Sequence, residues 1–434
     1  MGAARDAELE ADLEAIVRRP GRELASLAAA VVRAGEIAYT GAVGRAWIDP
    51  VSRERDRPAT VDTLYRIASV SKLLVALAAA ELCARGVLDP DADLSDVLGF
   101  ALRNPHHPKV PVTLVQLLSH TASLSDAAGY NFPEAVALAE VLTPNGARYA
   151  AGRAWQREHA PGAFFRYCNL GYGVAAQAME RVTGERFDRL MERLVFAPLG
   201  LTATFDPARL APAGRARVAT LYRKRPAGDG DLRWDPAGPW VPQVDDFSQT
   251  PPRPRASEAY VPGTNGSLFA PQGGVRISVS DLARLMVALL RRGRDETGRQ
   301  VFSPRAIELL LTERWRHDPT AFGGRGNRAA DDEGTGGLFN AWGFGPQRFL
   351  DRSGGPGRGD RLVEGGGFTG WGHLGNAYGL AACFAFDPAR GHGFIFLSGG
   401  TAFDPETERG AFSAQYRYEE MIATRLWSVT RAES

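Results

Sequence analysis

The chain of 434 residues reads as an α+β protein with a helical insert, on three observations. Strand-like apolar runs stand at both ends, helical periodicity fills the middle, and no run of strand–helix–strand units of the parallel-sheet kind occurs. The expected organisation is one domain over 1–434, with a sheet subdomain at about 20–80 and 263–434. A mostly helical subdomain is expected at about 81–205, and an insertion rich in Pro and Gly at about 206–262.

Taken in order, "AAAVVRAGEIAYTGAVGRA" is two apolar runs joined across a Gly-containing turn, which predicts a hairpin. "SVSKLLVALAAAELCARG" follows with apolar residues at Val70, Leu73, Leu74, Leu77 and Leu82, a helix stopped at Gly86. "TLVQLLSH" opens with a Thr cap, "GYGVAAQAMERVTG" ends at Gly184, and "ERFDRLMERLVFAPLG" continues the helical reading. Between 206 and 262 periodicity fails, and a loop excursion this long marks a place near a site or a partner surface. Ser278 and Asp281 form a capping pattern before a helix closed by Gly293. The glycine-rich stretches "AFGGRGNRAADDEGTGG" and "RSGGPGRGD" read as loops around a short strand at "AWGFG". "AYGLAACFAFDP" and "HGFIFLSGG", joined at "DPARG", predict an antiparallel hairpin, and the last helix lies near "SAQYRYEEMIATRLW".

Composition excludes several functions. With 51 basic and 50 acidic residues the net charge is +1, so no long-range field gathers nucleic acid or an anionic membrane. Clusters such as "RRPGR" and "RKRP" read as solvated surface. Cys83, Cys168 and Cys383 show no metal-ligand spacing, and no metal or cofactor is expected. The run "LASLAAAVV" is too short to span a bilayer, so a cytoplasmic protein is expected as written, or an exported one whose signal has been removed.

The chemistry begins at "RIASVSKLLVA". Only Lys72, Lys109 and Lys224 are lysines, and Lys72 lies one helical turn after Ser69. Residues three apart on a helix have Cβ atoms roughly 5–6 Å apart, so hydroxyl and amine share a hydrogen bond, a nucleophile beside a base. First-turn N–H groups lack intrahelical partners and favour developing negative charge, which makes the N–H of Ser69 an oxyanion donor. Apolar neighbours lower a lysine pKa by disfavouring its charged form. Ser71 points about a third of a turn away and reads as a packing residue.

Two further signals stand downstream: Tyr167-Cys168-Asn169 in "FRYCNLGYG" and His373-Leu374-Gly375 in "GWGHLGNAYG". Ser-x-x-Lys, Tyr-x-Asn and [Lys/His]-x-Gly in this order resemble the serine β-lactamase and penicillin-binding protein superfamily. The class C β-lactamase, D-alanyl-D-alanine carboxypeptidase and family VIII esterase branch is the most similar. "LLSHTASL", "RVTGERFDRLMERLVFAPLGL" and "APQGGVRISVSDLARL" extend the resemblance over about residues 25 to 425. It implies a β-lactamase/transpeptidase-like fold, an antiparallel sheet flanked by helices, with the active site in the groove beside the helical subdomain. It implies Ser69 as acylated nucleophile, Lys72 as proton acceptor or orienting cation, and Tyr167 as proton shuttle. Asn169 would position substrate and Lys72, while His373 and Gly375 line a strand edge whose next residue, Asn376, supplies a second oxyanion N–H. Trp371 is expected either in the acyl-pocket wall or in the core.

Departures bear on the activity. Cys168 stands where Ser is usual, and His373 stands where class C β-lactamases carry Lys, removing a permanent cation suited to a β-lactam carboxylate. If a charged His373 binds a carboxylate, affinity falls as pH rises through about 6.5. His120 reads as a structural hydrogen-bonding residue, the absence of G-x-S-x-G disfavours an α/β-hydrolase, and the G-x-G-x-x-G strings read as close backbone packing. The function expected is a cofactor-free serine hydrolase cleaving a small ester, amide or peptide through an acyl-serine intermediate. The alternatives are an acyltransferase, a β-lactamase, or a catalytically silent binding protein.

Overall fold

A computed structural model describes residues 2–226, 233–317, 327–329 and 337–431. At its centre is a nine-stranded sheet of β1 (Ser26–Arg33), β2 (Glu36–Trp47), β3 (Arg57–Pro58), β4 (Trp315–Arg316), β5 (Ala341–Trp342), β6 (Gln347–Phe349), β7 (Gly370–Ala377), β8 (Leu380–Asp387) and β9 (His392–Ser398). The order across it is β3-β2-β1-β9-β8-β7-β6-β5-β4, with every neighbouring pair antiparallel. The first strand is therefore joined to the last, Leu27 opposite Ser398 through Val32 opposite Gly393.

The period-two alternation of a strand sorts the central residues into two cores. Ala28, Ala30, Val32, Phe384 and Ile395 face one way, toward α2 (Ser71–Ala84) and α5 (Val279–Leu290). Leu27, Ala29, Val31, Cys383 and Phe396 face the other, toward α1 (Gly2–Val17) and α6 (Arg417–Arg431). Helices on both faces explain why β1 reads as a continuous apolar run instead of an alternating one. α1 is an element the sequence reading lacks. Its Leu9, Leu13 and Ile16 fall on one face and are buried against α6, a pattern thinly spaced among charges.

Helix ends follow the expected chemistry. Thr113 caps α3 (Leu114–Leu118) in a reciprocal box with Gln116, Ser278 caps α5 through the N–H of Asp281, and α4 (Leu170–Thr183) ends at left-handed Gly184. The middle region is less helical than expected: between α2 and α4 the α-helices are four or five residues long. Prolines such as those in "NPHHPKVP" interrupt them. The 206–262 insertion is more ordered than its composition implies. Its strands Leu221–Lys224 and Trp240–Val244 pair antiparallel, and the first lies parallel to Gly400–Thr401. The Arg276 guanidinium clamps Asp245, directly after the second of these strands, through bonds of 2.9 and 2.6 Å, both groups buried. Much of the 318–336 stretch of the glycine-rich region lies outside the described residues.

Candidate active site

Ser69 sits in a single 3-10 turn, Ala68–Val70, that feeds directly into α2. The turn is tight: Ala68 has φ +45°, a left-handed conformation unfavourable for any residue with a Cβ. It leaves Ser69 half-buried while Lys72, one turn on, is fully buried. Lys72 Nζ lies 3.0 Å from Ser69 Oγ, 2.8 Å from Asn169 Oδ1 and 2.9 Å from the carbonyl oxygen of Gln272. It also stands 4.8 Å from the centre of the Tyr167 ring. Burial lowers the Lys72 pKa to about 7, against opposing influences from Asp126 and Cys168. Burial raises that of the Tyr167 phenol, although the Ser69 hydroxyl works the other way. At neutral pH Lys72 thus has an accessible neutral form, while Tyr167 holds its proton.

Asn169 marks the entry to α4, and Asp126 organises it. The Asp126 carboxylate accepts the backbone N–H of Asn169 and of Leu170, each at 2.9 Å, the Asn169 side-chain Nδ2–H at 2.8 Å and the Cys168 thiol at 3.2 Å. Because Nδ2 donates to Asp126, Oδ1 is the atom left to face Lys72. The thiol of Cys168 is spent on this carboxylate and is buried. Asp126 is a positioning residue that the sequence reading missed, as is the Gln272 carbonyl.

His120 is buried beneath Tyr167, ring centres 4.3 Å apart, and accepts the Cys168 N–H at its Nδ1 at 3.1 Å. Burial and the neighbouring Lys72 hold its pKa well below the ordinary value, so it is a neutral platform for the phenol. Ser71 is likewise structural, accepting the Val275 N–H at 3.2 Å.

The strand edge comes from β7. β6 pairs with it only as far as Gly372, so beyond that point its outer edge is open to the cleft. Ala381, opposite Asn376 on β8, exchanges both its N–H and its C=O with the Ser398 hydroxyl on the far side. Asn376 and Ala381 are therefore a non-hydrogen-bonded pair, and the N–H of Asn376 is directed to the open edge. Gly375 is required by contact: a Cβ there would come within 2.6 Å of the Ile67 carbonyl and 3.3 Å of the Ser69 nitrogen.

One open alternative is decided and one expectation is corrected. Trp371 lies in the main core, under Arg348 and beside Gly343, and does not line the cleft. His373 lines it but does not supply a cation: burial, reinforced by Lys72, lowers its pKa to about 3. Its Nδ1 is 2.6 Å from the Leu374 carbonyl, which can only accept, so the proton sits on Nδ1 and Nε2 carries a lone pair. With the cleft empty the imidazole is neutral near pH 7.

Ser69, Tyr167, His373, Gly375 and Asn376 share a cleft of about 250 Å³ whose far side is built from the C-terminal segment. Among the described residues no group of three or more His, Cys, Asp or Glu is arranged to hold a metal, and no helix is long and apolar enough to cross a membrane.

A serine beside a buried lysine, with a phenol ring close to the amine and an open strand edge, is the arrangement of residues found in the class of serine acyl enzymes. The chain belongs to the Beta-lactamase family, whose sequence profile matches residues 13–416. It is 35% identical over 222 residues to the esterase EstB of Burkholderia gladioli, covering 47% of this chain and 54% of EstB. It is 27% identical over 162 residues to the D-alanyl-D-alanine-carboxypeptidase/endopeptidase AmpH of Escherichia coli K12, covering 34% and 38%. The chain spans about half the length of the curated relatives it matches. A structure of the octameric penicillin-binding protein homologue from Pyrococcus abyssi shares the fold, with a TM-score of 0.59 at 20% identity over 96% of this chain and 76% of that one.

Proposed function

We propose that the chain cleaves a small ester or amide through an acyl-Ser69 intermediate, as an esterase or a peptidase acting on D-amino-acid peptides. The observation that carries this reading is the trio of partners at Lys72 Nζ. Asn169 Oδ1, with its Nδ2 turned to Asp126, and the Gln272 carbonyl can only accept, so they take the two hydrogens of a neutral amine. The lone pair is then left for the Ser69 hydroxyl at 3.0 Å. Ser69 Oγ–H passes its proton to Lys72 as Oγ attacks the carbonyl carbon. The N–H groups of Ser69 and Asn376 receive the oxyanion. As the tetrahedral carbon collapses, the Lys72 proton reaches the leaving group by way of the Tyr167 phenol. Water repeats the sequence in reverse to release the acid and restore Ser69; an amine or alcohol in its place makes the same chemistry acyl transfer.

The test is intact-protein mass spectrometry after brief exposure to a labelled penicillin and, separately, to a p-nitrophenyl ester, with Ser69→Ala in parallel. An acyl adduct or turnover lost in Ser69→Ala supports the reading, and the reacting reagent separates penicillin-recognising from esterase-like sites. Turnover that survives in Ser69→Ala would refute it.

A further inference from the structure

The cleft carries polar groups, from β6, β7 and the C-terminal segment, that the proposed hydrolysis does not use. Gln347 is 1% exposed; its Nε2 donates to the Leu338 carbonyl, and its Oε1 has no partner among the described residues. Gln415 is 3% exposed, and neither Oε1 nor Nε2 has one. His373 Nε2, the lone-pair nitrogen, is in the same state. All three residues line the cleft, and so does Glu419, buried at the start of α6. A buried polar atom left unpaired is costly, so several of them on residues lining one cleft mark where a ligand completes the bonding.

The chemistry of the wall has a sign. Gln347 Oε1 and His373 Nε2 only accept, and Glu419 adds a carboxyl. The cation beside them, Arg409, is ion-paired with Glu406 and lies over the Tyr416 ring. Glu419 also has a structural task, since its Oε2 accepts the Tyr416 N–H at 2.9 Å in the manner of a helix cap. That occupies one oxygen. With the cleft empty, burial raises the Glu419 pKa to about 7, and a positive group arriving beside it would favour the ionised form.

We propose that this wall binds a substrate group bearing a primary ammonium, received by Gln347, His373, Gln415 and Glu419. A carboxylate-bearing substrate meets the lone pairs of Gln347 and His373 and the Glu419 carboxyl there, with the Gln415 amide as the one unpartnered donor among the four. The assignment deepens the hydrolase reading by naming the substrate class of the same cleft, but its test does not depend on turnover.

Calorimetry at pH 8 compares benzylammonium, benzyl alcohol and phenylacetate binding to the native protein and to Glu419→Gln, which retains an acceptor for the Tyr416 N–H. Benzylammonium is expected to bind the native protein at least tenfold more tightly than benzyl alcohol, with phenylacetate weakest. In Glu419→Gln the advantage of the ammonium over the alcohol should shrink about tenfold. Phenylacetate binding as tightly as benzylammonium, or an ammonium preference unchanged in Glu419→Gln, would overturn the assignment. Failure of Ser69 to acylate would count against the hydrolase reading alone.

Discussion

Asp126→Asn tests the internal logic of the site. Asp126 accepts four hydrogen bonds, from the thiol of Cys168, two groups of Asn169 and the N–H of Leu170. An Asn amide presents one oxygen, so about half of these donors lose their acceptor. At about 1.5–3 kcal/mol for a hydrogen bond to a charged group, the stability loss is about 3–6 kcal/mol. The second effect is electrostatic. One Asn169 side chain bridges Lys72 and Asp126. The charges are then roughly 7 Å apart, worth about 2 kcal/mol at an effective dielectric of about 20, or on the order of one pH unit. Burial lowers the Lys72 pKa and Asp126 raises it, so removing the carboxylate must lower it further. In the native protein the neutral amine is populated above about pH 7, so kcat/KM for a p-nitrophenyl ester should rise with pH through about 7. In Asp126→Asn this limb should move to lower pH by on the order of one unit, at reduced plateau rate. A merely structural Asp126 would lower the rate and leave the limb in place. A limb that stays, or moves upward, would refute the reasoning.

Gly375→Ala places a Cβ 2.6 Å from the Ile67 carbonyl and 3.3 Å from the Ser69 nitrogen, both backbone atoms, so the turn carrying the nucleophile has to shift. With misplacement near 1 Å able to cost on the order of 100-fold, kcat for the ester should fall by about that factor, with a lowered thermal midpoint; activity within threefold of native would contradict the close approach. Arg276→Ala strands the Asp245 carboxylate in a site where both partners are buried. Removing one member of such a pair costs about 3–5 kcal/mol, read as a lower urea midpoint. A loss below about 1 kcal/mol would show that the pair does not anchor the insertion.

What could be read from the residues alone was local. Ser69 and Lys72 are three apart, and helical geometry by itself makes them neighbours. The caps at Thr113 and Ser278 and the stop at Gly184 are decided within one turn of chain. The supports of the site are of another kind. Asp126 acts on residues more than forty positions away, and "SDAAG" carries no mark of it. The Gln272 contribution is a backbone carbonyl, common to every residue type. The pKa of His373 is lowered by burial among rings from distant segments, which no local stretch of sequence displays. α1 escaped notice because its few apolar positions acquire meaning only once α6 lies beside them.

The three contacts at Lys72 Nζ suit both protonation states the chemistry requires. As an amine, the group donates to Asn169 Oδ1 and the Gln272 carbonyl and accepts from Ser69. As an ammonium it has three hydrogens for the same three oxygens. Only the Ser69 proton changes sides, so transfer needs no rearrangement of heavy atoms, and the surroundings are organised before reaction begins. Burial alone would favour the amine permanently; the Asp126 carboxylate, one amide away, keeps the ammonium within reach. An accessible pKa near 7 is the outcome of those opposed influences. Its neutral neighbour His120 adds no competing base, and the phenol of Tyr167 stays protonated to relay what Lys72 receives.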